Sequence, residues 1–353
     1  MREATATLAL PIRPPVEPML AKLAGTIPEG DGWVYEPKWD GFRALVFYDG
    51  DRCYLQSRDL KPLARYFPEL QASLGEALPH PMVLDGEIVI IGEAGLDFDA
   101  LLLRIHPAAS RVRMLAEQTP SSFVAFDLLA EGTDDLRARP FAERRSRLER
   151  ALGGVRPPAY LTPATRDRML ALDWFERFEG AGLDGVVAKR AGHPYQPGIR
   201  AMVKVKHLRT ADCVVGGLRW YKGEAGRAVG SLLLGLYDDG GVLHHVGHTS
   251  SFKADEKRAL ADKLRPYMTD EAVGFGEGRT PGGPSRWNRD KDVSWVRLRP
   301  ELVCEVAFDH LQGDRFRHAA TFLRWRPDKP PRACTYDQLE TTPPYELEQI
   351  FAR

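Results

Sequence analysis

The hydrophobic pattern of this chain changes character once, after His207. Before that point, short β-branched or apolar runs alternate with stretches whose apolar residues recur at helical spacing. Residues 44–48, 83–91, 122–129 and 184–189 read as strands, and residues 63–74, 141–152 and 173–179 as helices. Beyond it, residues 213–218, 229–237, 242–249 and 302–308 are strand-like and bounded by glycine, and a single helical pattern, 253–268, interrupts them. The first pattern predicts an α+β domain over 1–208. The second predicts a small β-barrel with one inserted helix over 209–353, the five-strand economy of an OB-fold. No internal repeat is visible, so solenoid and propeller architectures are excluded.

Composition narrows the class further. At 353 residues the chain has room for two domains, each able to bury its own core, and 43% hydrophobic with 28% charged residues is the balance of an ordinary globular protein. Its four cysteines, Cys53, Cys213, Cys304 and Cys334, form no C-x-x-C pair, which argues against a disulfide framework or a thiolate zinc site and for a reducing compartment. No run approaches the ~18 apolar residues of a membrane span, and the first residues lack the charged head and apolar run of a signal peptide, so the expectation is a cytoplasmic protein with no membrane partner. Basic and acidic residues balance at 49 each, so the total charge makes no case for a polyanion partner. The distribution does: residues 279–299 hold six basic against two acidic residues, and 315–332 six against one.

The most informative string is Glu36-Pro37-Lys38-Trp39-Asp40-Gly41-Phe42-Arg43, a lysine between two acidic residues beside Pro and Gly. Further along, Asp85-Gly86-Glu87 opens a strongly apolar strand, and Asp184-Gly185 opens another that ends in Lys189-Arg190. In Val203-Lys204-Val205-Lys206 the alternation puts both lysines on one face and both valines on the other. Two cations on one face repel unless an anion sits between them. Each string has an ordinary reading as well, since Asp-Gly is a common turn and K-x-K a common edge-strand face. Phe126 follows an apolar run, where a core phenylalanine is the default.

Taken in order, Lys38-Trp39-Asp40-Gly41, Asp85-Gly86-Glu87, Phe126-Asp127, Asp184-Gly185, Lys204-Val205-Lys206 and Arg326-Pro327-Asp328-Lys329 resemble the motifs of covalent nucleotidyltransferases, specifically the ATP-dependent DNA ligases. The resemblance runs from about Pro18 to Pro330 and is nearest to the compact DNA ligase C group of actinobacteria, through residues 36–45, 182–190 and 202–208. It implies a nucleotidyltransferase domain, ATP-grasp-like, followed by a C-terminal OB-fold barrel. It implies ATP as nucleotide, carried as AMP on a lysine, with Mg2+ or Mn2+ as the metal.

Residue by residue, the resemblance makes Lys38 the nucleophile toward the α-phosphorus of ATP. A lysine attacks only when unprotonated, and the cations Lys204, Lys206 and Arg43, with a metal, are expected to favour the neutral amine and to offset phosphate charge. It makes Phe126 the aromatic that stacks on adenine, Glu36 the reader of the adenine amino group, Arg58 a phosphate contact, and Glu87 the holder of the ribose hydroxyl or the metal. Lys189 joins the nucleotide contacts. Asp184 stands where many ligases carry glutamate, so its metal contact is expected to pass through water. Arg326, Asp328 and Lys329 are implied to orient the pyrophosphate leaving group, which requires the second domain to move over the first. The implied substrate is nicked duplex DNA, met through its phosphates by the basic segments 286–299 and 315–317, with DNA-repair proteins as partners and a monomeric chain.

Three further features carry less. His244-His245-Val246-Gly247-His248 lacks the spacing of a metal helix and reads as a barrel strand. Trp220, Trp287, Trp295 and Trp325 read first as packing residues, and residues 143–150, six of them charged, read as a solvated helix face. Two rivals remain open on sequence alone. One is an RNA ligase or an mRNA-capping guanylyltransferase, which shares the lysine and the two-lysine strand; the other is a catalytically inactive nucleic-acid binder built on the OB-fold.

Overall fold

A computed structural model of the chain describes residues 8–92, 95–207, 209–271, 273–275, 280–281, 294–309 and 311–339. These fall into two compact units that divide between His207 and Leu208. The last part of the predicted barrel domain, 340–353, lies outside the described residues, as does most of the basic segment 279–293 with Trp287.

The first unit contains β1 (Leu20–Ala24), β2 (Trp33–Pro37), β3 (Phe42–Tyr48), β4 (Cys53–Ser57), α1 (Pro68–Ala77), β5 (Met82–Gly92), β6 (Gly95–Leu96), α2 (Phe98–Leu103), α3 (Ala109–Gln118), β7 (Ser121–Glu131), β8 (Asp134–Asp135), α4 (Phe141–Leu152), β9 (Ala159–Leu161), α5 (Arg168–Arg177), β10 (Val186–Arg190) and β11 (Arg200–Val205). Two sheets organise them. The larger runs β4-β3-β5-β7-β8, with β6 on β5 and β9 on β7; the smaller runs β1-β11-β10-β2. Strand β3 shows why the larger one reads as unbroken apolar sequence. Ala44, Val46 and Tyr48 pack into one core with Leu70, Leu84 and Leu148, while Leu45 and Phe47 pack on the opposite face with Met19, Met202 and Tyr195. A sheet covered on both sides has no polar face to alternate with.

The smaller sheet keeps its alternation. Val203 and Val205 of β11, with Val186 and Ala188 of β10, pack with Ala171 and Phe175 of α5. Their neighbours Met202, Lys204, Val187 and Lys189 line a cavity on the opposite face. Pro68 sets the start of α1 five residues later than the hydrophobic spacing had placed it, because its ring suits the first turn and excludes an earlier one. Side chains of Asp97 and Asp167 accept from the backbone N–H groups of Ala100 and Met169 and so start α2 and α5.

Helix α4 corrects one expectation. Its charged run is solvated only in part: Glu149 and Arg150 are exposed, but the side chain of Arg144 is fully buried and that of Arg145 is 9% exposed. Arg144 donates from Nε and Nη2 to Asp127 at 2.7 and 2.9 Å, and from Nη1 to the carbonyls of Arg139 and His193. A guanidinium with all three nitrogens engaged can be buried at a cost that an unpaired one could not meet.

In the second unit, β12 (Arg209–Trp220), β13 (Val229–Tyr237), β14 (Leu243–Thr249), α6 (Ala254–Leu264), β15 (Val296–Arg297), β16 (Val303–Phe308), β17 (Leu311–Gln312), β18 (Arg315–Phe316) and β19 (Thr321–Trp325) follow in order. The sheet runs β14-β13-β12-β16-β19, and a parallel bridge between Thr249 and Ala320 joins its two ends. Five principal strands with one helix between the third and the fourth give the barrel that the sequence predicts. Leu218, Leu232, Val246, Leu264 and Phe316 fill it, and Trp220, Trp295 and Trp325 pack against this core. Proline at 266 turns the end of the predicted helix 253–268 into a short 3-10 segment, Arg265–Tyr267.

Candidate active site

A cavity of about 620 Å³ lies in the first unit and is lined from both sheets. It is lined by Glu36, Lys38, Arg43, Arg58, Glu87, Phe126, Lys189, Lys204 and Lys206, contributed by β2, β3, β5, β7, β10, β11 and the segments that follow β2, β4 and β11. Asp184 stands next to it, 2.5 Å from Lys38 Nζ and 2.9 Å from Lys206 Nζ, with its side chain 2% exposed.

Backbone geometry brings Lys38 and Asp184 together. The N–H of Lys38 donates to the carbonyl of Gly185, and the N–H of Asp184 donates to the carbonyl of Lys38, both at 2.9 Å. Gly185 makes this crossing possible. It takes φ +120°, and a Cβ there would stand 2.0 Å from the carbonyl oxygen of Val205. Gly41, on the other side of Lys38, crosses β5 as closely, since a Cβ would meet the carbonyl of Ile88 at 2.2 Å. The Asp-Gly and Lys-x-Asp-Gly strings are therefore places of close backbone approach, where the sequence by itself suggested turns.

The charges around Lys38 differ from the expected all-cation shell, because Asp184 bridges Lys38 and Lys206. Cationic crowding is felt at Lys204, which burial, and then Lys38, Lys206 and Arg58, push below the usual lysine range. Glu87 is half-buried, and desolvation lifts its carboxyl to about 7 in spite of Arg43 and Lys38.

Arg43 is held from behind. It donates from Nε and Nη2 to the two oxygens of Asp85, both at 2.6 Å. Asp85, fully buried, also accepts from the hydroxyl of Tyr195 at 2.6 Å. The guanidinium carbon of Arg43 lies 4.6 Å from the centre of the Phe126 ring, and Lys189 Nζ lies 4.8 Å from it. Phe126 is half-buried on the cavity wall, unlike the fully buried Phe123 of the same strand. Glu36, 2% exposed, sits between two cations: Lys189 Nζ at 2.7 Å and Arg145 Nη1 at 3.4 Å. Lys189 also donates to the carbonyl of Phe126.

Asp85, Tyr195 and Arg145 are absent from the residues that sequence reasoning assigned to the nucleotide. Asp85 had a signal, its place in Asp85-Gly86-Glu87; Tyr195 stands in an irregular segment and had none.

Arg326, Asp328 and Lys329 lie in the second unit, just beyond β19, and gather on Asp212. Arg326 Nη1 donates to both oxygens of Asp212 at 2.9 and 3.0 Å, its Nη2 donates to Asp328 at 2.8 Å, and Lys329 Nζ lies 3.7 Å from Asp212. The hydrogen bonds from Arg326 hold Asp328 down at about 2. Of the basic segments expected to meet DNA, Arg297, Arg299, Arg315 and Arg317 are among the described residues; Arg286 is not.

Among the described residues no three His, Cys, Asp or Glu side chains converge as a metal cage. Glu87 lines the cavity and Asp184 stands beside it with Oδ2 held by Lys38 and Lys206; magnesium or manganese takes one or two protein carboxylates and completes its shell from phosphate oxygens and water, which is the donor chemistry such a site would offer. No helix among the described residues is long and apolar enough to cross a membrane.

Residues 18–206 match the family described as ATP dependent DNA ligase domain, and residues 225–329 the ATP dependent DNA ligase C terminal region. The chain is 54% identical over 345 residues to DNA ligase C2 of Mycolicibacterium smegmatis, covering 95% of this chain and 97% of that protein. It is 52% identical over 356 residues to DNA ligase C of Mycobacterium tuberculosis, covering 97% and 99%. Identity falls to 33% over 325 residues, 89% of this chain and 39% of the relative, for the multifunctional non-homologous end joining DNA repair protein LigD of Mycobacterium tuberculosis. A solved structure of a Lig E DNA ligase, 20% identical, superposes with a TM-score of 0.54 over 88% of this chain and 99% of that one, which is a likeness of fold.

Proposed function

Because the chain belongs to the ATP-dependent DNA ligases, we propose that it seals 5′-phosphate/3′-hydroxyl nicks in duplex DNA by way of AMP carried on Lys38. One observation carries the reading: Lys38 shares a cavity with six other cations, Arg43, Arg58, Lys189, Arg200, Lys204 and Lys206, and with the half-buried ring of Phe126. Such a set receives a polyphosphate and a base together, and phosphoryl transfer asks little more of a protein than position and charge neutralisation.

Lys38 Nζ attacks the α-phosphorus of ATP; a nitrogen–phosphorus bond forms, the bond to pyrophosphate breaks, and the nitrogen gives up a proton. Asp184 fixes Nζ at the start of this step. Lys204, Lys206, Arg43 and Arg58 neutralise phosphate charge, Phe126 packs on the base, Glu36 and Lys189 meet its edge, and Glu87 takes the ribose hydroxyl or the metal. Glu87 and Asp184 are the residues that would hold a divalent metal, which when bound neutralises phosphate charge. Arg326, Asp328 and Lys329 orient the departing pyrophosphate. The AMP then passes to the 5′-phosphate of a nick, freeing Lys38, and the 3′-hydroxyl attacks that phosphate and expels AMP.

Arg297, Arg299, Arg315 and Arg317 meet the DNA phosphates, a contact that needs no base sequence and suits an enzyme acting at any nick. The work is DNA repair alongside repair proteins, a reading supported by the likeness to the end-joining repair protein.

Intact-mass measurement after incubation with ATP and magnesium tests the central claim. The protein gains the mass of one AMP; the adduct is lost when pyrophosphate is added and, without pyrophosphate, seals a labelled nicked duplex, while Lys38→Ala folds and gains nothing. An adduct at normal yield on Lys38→Ala removes Lys38 from the mechanism.

A further inference from the structure

Arg145 lies on α4, in the stretch whose charges look solvent-bound in the sequence, yet its side chain is 9% exposed and its donors point inward. Nη2 donates to the carbonyl of Thr162 at 2.7 Å, Nε to Glu149 at 2.7 Å, and Nη1 reaches Glu36 Oε1 at 3.4 Å. Thr162 in turn accepts, through Oγ1, a 2.8 Å hydrogen bond from the indole N–H of Trp39. One guanidinium thus ties both sides of the nucleophile, Glu36 two residues before Lys38 and Trp39 one residue after it.

From this we infer that Arg145 is a positioning residue for base selection: it orients Glu36 so that the carboxylate meets an exocyclic amino group and turns away a carbonyl. The inference rests on the nucleotide reading above and adds to it the residue that aims the reader. The charge arrangement gives the reason. Lys189 grips one oxygen of Glu36 at 2.7 Å, whereas Arg145 sits at the longer 3.4 Å from the other, and Glu36 lines the cavity. A carboxylate pinned between two cations on its protein side keeps acceptor capacity for a donor arriving from the cavity. Adenine offers such a donor at its amino group. A purine with a carbonyl in that place presents lone pairs to an anion, and a site left with an unpaired buried polar group discriminates strongly. Without Arg145, Glu36 has only Lys189 to direct it and can swing to meet the wrong edge.

The experiment compares ATP with inosine triphosphate, which differs in carrying a carbonyl where adenine carries the amino group, in single-turnover formation of the enzyme–nucleotide adduct by wild type, Arg145→Met, Arg145→Lys and Glu36→Gln. Arg145→Met lowers the ATP-to-ITP ratio of kcat/KM about tenfold, chiefly through KM, the scale of one lost hydrogen bond to a charged group. Arg145→Lys keeps the charge without the planar fork and falls between Met and wild type. An unchanged ratio in Arg145→Met, whatever its absolute rate, overturns the inference; should that variant fail to fold, an unchanged ratio in Arg145→Lys does so. Glu36→Gln separates the two layers. If it too keeps the wild-type ratio, the assignment of Glu36 as base reader falls; if it alone loses the ratio, only the role of Arg145 falls.

Discussion

At the scale of single residues, this site depends on groups that never face the cavity. Arg43 lines it, but its direction comes from Asp85, and Asp85 is completed by the hydroxyl of Tyr195, 110 positions away in the chain. That hydroxyl also accepts from the backbone N–H of Met19 at 2.9 Å, and Tyr195 is 4% exposed. Tyr195→Phe therefore leaves one buried N–H without an acceptor and takes a donor from a buried carboxylate. The expected loss is about 2 kcal/mol of unfolding free energy, within the range for unsatisfied buried polar groups, read from urea midpoints. Because the Arg43–Asp85 fork survives, AMP adduct formation by the folded variant stays within about threefold of wild type, a small change against the tenfold steps that 1.4 kcal/mol produces. A stability unchanged within 0.5 kcal/mol, a margin typical of surface substitutions, would show that the hydroxyl bears no load. The sequence could point to Asp85, which sits in a recognisable string. It could not point to Tyr195, because a hydrogen bond between distant segments leaves no local pattern.

Elements were legible where a period was clean. Helix α4, strands β5 and β7, and barrel strands β13 and β14 stand within two residues of where hydrophobic spacing puts them. Strands β1 and β2 went unread, being short segments that interleave Lys22 and Glu36 with apolar residues; the charged face of α4 was read outward because a buried guanidinium and an exposed one look alike in sequence. Strand β14 shows the same ambiguity for histidine. His245 packs edge-on to Phe275 at 5.4 Å, and desolvation, reinforced by Arg219, His248 and Arg315, lowers it from 6.5 to about 3. An unfolded chain takes up a proton on this histidine near pH 6.5 that the folded barrel refuses down to about 3, so folding stability contributed by its neutrality is present above 6.5 and is lost as the pH falls. His245→Gln removes the titrating group. Its urea midpoint, followed between pH 7 and 4.5, declines less steeply than that of wild type; parallel declines would mean that His245 is protonated in the folded barrel.

At the scale of the whole molecule, the proposed cycle contains two unequal chemical demands, and the residues proposed for them lie in two units. Drawing AMP from ATP requires the departure of pyrophosphate, a highly charged group, whereas sealing a nick that already bears AMP does not. The cavity of the first unit holds the residues assigned to nucleotide and nucleophile, and the second unit carries Arg326 and Lys329, ordered around Asp212. If these cations serve the leaving group, their removal falls on one demand alone. Arg326→Ala is expected to slow adduct formation from ATP about a hundredfold, the scale of losing one preorganised charge contact to a developing anion. Sealing of a pre-adenylylated nicked duplex by the same variant should stay within about threefold, since that step contains no pyrophosphate. Asp212 loses its bidentate partner in this variant, so a thermal melt accompanies both assays to show that the barrel remains folded. Two outcomes would carry the role of Arg326 elsewhere. Equal losses in both assays would make it a DNA contact or a structural brace, and undiminished adduct formation would leave the Asp212 cluster as an ion-pair network of the barrel with no part in the first chemical step.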